Sequence, residues 1–265
     1  MEPYLISEIK IMVHNGKQFI PDVTKAEVPA PFRGKPEITT VKVDEAELVN
    51  ICPVGAITSN PVSLDLGKCV FCGECELAFP EKIRFTNHHK IATNDRESLI
   101  IRENDFAEIS VKPDKIRKDI QTVFGRSLKL RQVSAGGDNS CEWELGACGN
   151  PNFDMGRFGI EFVASPRHAD GIVITGPISE NMAEALQICY DAVPSPKIII
   201  LCGTDAISGG IFAESPAINR SFIQNHHIDL YIPGNPPHPL TIINGILDLT
   251  RNKWVGSRKP EVGSQ

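Results

Sequence analysis

The sequence places Cys69, Cys72 and Cys75 at successive spacings of three in "KCVFCGECELAFP". A fourth cysteine, Cys52, stands 17 residues earlier in "CPVGAI" with a proline directly behind it. No other feature constrains the fold as strongly, because thiolates at this spacing converge on a metal centre. Structural zinc sites usually pair their ligands as two C-x2-C knuckles, whereas three thiolates in C-x2-C-x2-C suit the corner irons of a 4Fe-4S cubane. Thiolates are soft and anionic, which matches the preference of clustered iron. A disulfide framework is the weaker reading for a chain with no sign of secretion. Pro53 fixes φ behind Cys52. Val54, Ile57, Val70, Phe71 and Phe79 are the apolar neighbours expected to keep water off the sulfurs.

This segment resembles a bacterial two-cluster ferredoxin, in which the run C-x2-C-x2-C-x3-C-P occurs twice and the fourth cysteine of each run ligates the other run's cluster. In the later run the first three positions are Cys69, Cys72 and Cys75, and the fourth is Phe79, followed by Pro80. In the earlier run the first three positions are Lys42, Glu45 and Leu48, and the fourth is Cys52. The losses are complementary. The resemblance implies one complete ligand set, Cys52, Cys69, Cys72 and Cys75, for a single 4Fe-4S cluster, and one erased set.

At 265 residues with 41% apolar content the chain can bury one or two domain cores. No apolar run approaches the length of a membrane span, and "MEPYLISEIK" lacks the basic-then-apolar pattern of a signal peptide. The chain is therefore expected to have no direct membrane span. A net charge of −6 without a basic stripe argues against a nucleic-acid partner.

Residues 1–39, with four prolines between 20 and 36, read as an extended N-terminal arm, one able to pack on a partner. Residues 40–112 form the ferredoxin-like unit, with "KIRFTN" and "KIATN" as strand candidates, and "DKIRKDIQTVF" supplies a joining helix. From 113 to 252, the runs "LKLRQVS", "GIEFVAS", "GIVITG", "KIIILC" and "IDLYIPG" alternate with helical stretches at 179–191, 215–225 and 239–251. That rhythm predicts a parallel sheet wrapped by helices. Residues 253–265 read as a disordered tail. The expected fold is thus α/β overall: a ferredoxin-like α+β module followed by a flavodoxin-like parallel-sheet domain.

Ligands of such sheets bind outside the carboxyl ends of the strands. Those ends carry "AGGDNSCEWE", "TGPIS", "CGTDAISGGIF" and "PGNPPHP". Together with "GRSLKLRQVSAG" and "FGIEFVASPRHADGIVITGPIS", they resemble the small, B-type iron-sulfur subunit shared by complex I (NADH-quinone oxidoreductase) and the group 4 membrane-bound NiFe hydrogenases. That family holds its own 4Fe-4S cluster. The resemblance places its ligand positions at Asp138, Cys141, Asp205 and Asn235, of which only Cys141 is a thiol. Hard carboxylates and a neutral amide are poor substitutes, so this second site is expected to be degenerate and without a cluster. A rearranged site of Cys141, Cys148, Cys202 and Asp205 is the alternative. Arg157, Arg167 and His168 are the basic groups expected to pair with Asp138 and Asp205.

The resemblance implies an electron-relaying subunit of a membrane-associated hydrogenase-related or NADH-quinone oxidoreductase-like complex, with no complete catalytic site of its own. Its expected partners are a large subunit and membrane subunits, and its expected place is cytoplasmic, peripheral to the inner membrane through those partners. The alternative is a structural or redox-sensing scaffold without electron throughput.

Overall fold

The structure is a computed structural model and describes residues 4–16 and 19–251. The tail expected at 253–265 lies outside the described residues. The first segment differs from the expected extended arm, because Tyr4–Asn15 forms a helix, α1. The rest of the arm, from Ile20 to Lys35, has no regular element, yet it packs on its own chain. Val23 and Val28 enter a core beneath the later sheet. Ile20 N–H donates to the Asn152 carbonyl at 2.8 Å, and Asn244 Nδ2 donates to the Val23 carbonyl at 3.0 Å.

Strand β1 (Pro36–Ile38) pairs antiparallel with β4 (Ile83–Phe85), and between them lie α2 (Glu45–Asn50), β2 (Ile57–Thr58), β3 (Ser63–Asp65) and α3 (Glu74–Ala78). Strand β5 (Ile100–Arg102) completes an antiparallel β2-β3-β5 sheet. Asp44 starts α2 by accepting from Ala46 N–H and Glu47 N–H, so two of the helix's otherwise unpaired amides are satisfied. At the erased ligand positions, Leu48 is fully buried and Phe79 packs against the same core.

Helix α4 (Lys118–Val123) leads into β6 (Leu128–Ser134), α5 (Ser140–Ala147), β7 (Ile160–Phe162), β8 (Gly171–Thr175) and α6 (Glu180–Ala192). The chain continues through β9 (Ile198–Cys202), α7 (Thr204–Ser208), α8 (Ser221–Asn225), β10 (Leu230–Ile232) and α9 (Pro239–Arg251). The five later strands are all parallel and ordered β10-β9-β8-β6-β7, the flavodoxin-like order expected. Strands β8 and β9 are buried along their whole length, which explains their unbroken apolar runs.

The two sheet systems share a core. Leu64, Leu66 and Ile101 pack in one cluster with Ile172, Leu201 and Ile207. Gly67 is required at this junction, since a Cβ there would lie 2.7 Å from the Arg96 guanidinium and 2.9 Å from an Ile207 methyl. "KIATN" forms no strand of its own; only Thr93 pairs, antiparallel to Tyr231 on the edge of the parallel sheet.

Candidate metal centre

The C-x2-C-x2-C stretch follows β3 and runs into α3. Its backbone wraps inward because Phe71 and Gly73 both take left-handed conformations, with φ of 54° and 85°. Glycine adopts this freely; an aromatic residue does so only where the surroundings enforce it, a kind of local strain that clusters at functional sites. Arg33, from the arm, donates to the Phe71 carbonyl at 3.2 Å and braces the turn.

Cys52, Cys69, Cys72 and Cys75 line one small cavity, walled by Val54, Ile57, Leu64 and Phe85. Two of the sulfurs accept backbone hydrogen bonds: Ala56 N–H reaches Cys52 Sγ at 3.2 Å, and Phe71 N–H reaches Cys69 Sγ at 3.3 Å. Burial pushes the Cys69 thiol up to about 12 and the Cys75 thiol to about 11, and the mutual repulsion of the cysteines adds to both. A group of thiols so disposed is a poor set of free anions and a good set of ligands, since cationic iron removes the penalty that burial imposes. Apolar walls, convergent sulfurs and N–H donors to sulfur fit an iron-sulfur cluster. Among the described residues, no three His, Cys, Asp or Glu side chains group closely enough for a single metal ion.

The strand-end positions form a different kind of site. Cys141 is buried on α5, Asp205 is half-buried on α7, and Asp138 and Asn235 are exposed. Asp138 Oδ1 accepts from Ser140 N–H at 3.0 Å and Ser140 Oγ at 2.6 Å, which holds its carboxyl below the usual range. Burial raises the Asp205 carboxyl to about 6; Asp138 and Glu142 push the same way, while Arg220 opposes them. Cys202, at the end of β9, is hydrogen-bonded to Cys141, and that bond together with burial pushes its thiol well above the ordinary range. Gly203 makes room for this pair, because a Cβ there would collide with Cys141 Sγ.

A basic group does reach Asp205, but it is not among the three expected. Arg157 donates to the Ile20 carbonyl at 2.6 Å and sits over the Phe158 ring, while Arg167 and His168 are exposed in a short 3-10 turn. The group is Arg220, which bridges the carbonyls of Pro177, Ala206 and Ile207 at 2.8 to 3.0 Å. Its position just before α8 gives no sequence signal. Sequence reasoning also missed Thr204, whose side chain joins the cysteine loop to the strand ends.

Residues 139–249 match the family described as NADH ubiquinone oxidoreductase, 20 Kd subunit. The chain is 35% identical to the probable membrane-bound hydrogenase subunit mbhJ of Pyrococcus furiosus over 54% of its own length and 87% of that protein. The chain belongs to this family. It is also 39% identical to the B chain of NADH-quinone oxidoreductase from Heliobacterium modesticaldum, over 52% of this chain and 81% of that one. A chain in the solved membrane-bound sulfane sulfur reductase, an archaeal respiratory membrane complex, gives a TM-score of 0.41 at 28% identity, covering 46% of this chain and 67% of its own. The family match contains Cys141, Asp205 and Asn235 and leaves Cys52, Cys69, Cys72 and Cys75 outside it. The cysteine loop is therefore an addition to what the family match covers. Among the described residues no helix is long and apolar enough to cross a membrane.

Proposed function

We propose that this chain is an electron-relaying iron-sulfur subunit of a membrane-associated hydrogenase-related or complex I-like assembly. In this reading it carries one 4Fe-4S cluster on Cys52, Cys69, Cys72 and Cys75 and none at Asp138, Cys141, Asp205 and Asn235. The observation that carries it is the contrast between the two sites. One is a ring of four thiols with N–H donors to sulfur; the other offers two carboxylates, an amide and a neighbouring guanidinium. When bound, the cluster supplies a one-electron couple. The chain's own residues exclude water with Val54, Ile57 and Phe85, orient the sulfurs through the turn at Phe71 and Gly73, and donate to them from Ala56 and Phe71.

Its partners are a large subunit and membrane subunits, which hold it at the cytoplasmic face of the inner membrane. Trp143 is 75% exposed two residues beyond Cys141, and Ile211 is 66% exposed beside Gly210, against which Asp205 packs. Large apolar side chains this exposed next to a strand-end site favour a protein partner there. Purification of the assembled complex under anaerobic conditions tests the reading. One cluster that is reduced and reoxidised without loss of subunits is expected; a cluster that stays redox-silent in the intact complex overturns the relay.

The scaffold reading has its own support, since Cys69 and Cys75 belong to the same core as Leu64 and Leu201. It predicts that chelating the iron unfolds residues 40–112 while the redox state of the cluster changes nothing.

A further inference from the structure

Thr204 opens α7 directly after Gly203, between the end of β9 and Asp205. Its side chain is fully buried. The hydroxyl donates to the carbonyl of Cys69 at 2.8 Å, across 135 residues of sequence, and lies 3.2 Å from the carbonyl of Gly234. A hydroxyl has one proton to give, so the nearer Cys69 carbonyl takes the larger share. Thr204 N–H independently donates to the Gly234 carbonyl at 2.9 Å. The hydroxyl is thus not needed to satisfy Gly234, and its distinct contact is the one with Cys69.

We propose that Thr204 is a positioning residue that sets the reduction potential of the cluster through the Cys69 carbonyl, so that the parallel sheet takes part in tuning a centre bound outside it. The inference rests on the single-cluster reading above. Cys69 is buried, and its own sulfur already accepts from Phe71 N–H. Its carbonyl oxygen carries a partial negative charge close to any group bound by its sulfur. The Thr204 proton offsets that charge, and in a water-poor surrounding such dipoles act at nearly full strength. Reduction adds one negative charge to the cluster. Removing the proton therefore disfavours the reduced state and lowers the potential.

The experiment uses the full chain with its cluster assembled anaerobically, as wild type, Thr204→Val and Thr204→Ser. Iron and sulfide content reports the reading beneath the inference, and redox titration followed by electron paramagnetic resonance reports the inference itself. Loss of one neutral hydrogen bond is expected to lower the ratio of reduced to oxidised cluster about tenfold at a fixed ambient potential, a shift of about 59 mV for one electron. Thr204→Ser keeps the donor and should restore the wild-type value. A role confined to packing would cost stability in Thr204→Val and leave the potential in place. Equal potentials in all three proteins, each holding about four irons, would overturn the inference and leave the single-cluster reading standing. A wild type without iron at the four cysteines would overturn both. If Thr204→Val loses its iron, Thr204→Cys carries the comparison, since a thiol is a weaker donor of similar size: a lowered potential supports the inference and an unchanged one defeats it.

Discussion

Thr93 and Tyr231 exchange a pair of backbone hydrogen bonds, 3.0 Å from Thr93 N–H to the Tyr231 carbonyl and 2.8 Å in the reverse direction. The first half of the chain thereby caps the edge of the five-stranded sheet, which would otherwise present unpaired amides at β10. Gly245 tightens the same junction, because a Cβ there would press on the Ala92 methyl. The Thr241 hydroxyl adds a hydrogen bond to the His89 carbonyl at 2.7 Å.

This joint, with the shared core, predicts that the two sheet systems unfold together. Leu66 is fully buried between them, and Leu66→Ala should cost about 2 to 5 kcal/mol. Denaturant curves followed by tryptophan fluorescence, from the later half, and by cluster absorbance, from the earlier half, should shift by the same amount. Two separated transitions would show that the junction is not cooperative.

The ligand set predicts its own mutational pattern. Cys52→Ser should bleach the same absorption band as Cys72→Ser, although Cys52 lies outside the C-x2-C-x2-C run. Wild-type protein prepared without oxygen should hold about four irons and four sulfides per chain. Cys189→Ser should leave both counts alone, since Cys189 lies on α6 beside Arg131, away from the cavity. A Cys52→Ser protein with an unaltered spectrum would remove Cys52 from the ligand set.

How much of this was legible in the sequence depends on the range over which each feature is determined. The cysteine run is local, and so are the β-branched runs; "LKLRQVS" coincides with β6 residue for residue. The helix read at 215–225 contracts to Ser221–Asn225, with Pro216 unable to donate within a longer helix. Prolines made the arm look like a segment awaiting a partner, whereas Val23 and Val28 are buried by α9 and the later core. That burial depends on residues some 220 positions away, and no local pattern encodes it. The same holds for Arg220 beside Asp205 and for Thr204 at Cys69: each is an ordinary polar residue until the fold brings it to its carbonyls.

The packed arm carries a prediction opposite to that of a free one. Limited proteolysis of the isolated chain should spare residues 20–36. Asn244 Nδ2 holds the arm through the Val23 carbonyl at 3.0 Å and its own helix through the Leu240 carbonyl at 2.8 Å. Asn244→Leu leaves the buried Val23 carbonyl without this donor, at a cost of about 1 to 3 kcal/mol. New cleavage within 20–36 should then appear in the variant. Equal cutting of both proteins would show that the arm is not held at this point.

The strand-end carboxyl gives a pH dependence whose sign is fixed by burial. Asp205 has an ordinary value of 3.8 and is raised to about 6 in the folded chain, first by burial, then by Asp138 and Glu142, with Arg220 acting against them. Its folded form holds the proton more tightly than its unfolded form. Its contribution is therefore fully present below about pH 4 and is lost as pH rises through about 6. Above that range the ionised group destabilises the fold by on the order of 1 to 2 kcal/mol, after the full shift is discounted for solvent screening. Asp205→Asn removes the titration, so the variant should gain on the wild type as pH rises from about 4 to 7. Asp95 provides the contrast, since hydrogen bonds from Lys112 and Lys115 hold its carboxyl far below the usual range. Its contribution is present at neutral pH and fades in acid, so Asp95→Asn should be weakest relative to wild type near pH 7 and converge with it in acid. Urea titrations of the three proteins across this range check both slopes. An Asp205→Asn protein whose difference from wild type stays constant from about pH 4 to 7 would show that Asp205 titrates as an ordinary surface carboxyl.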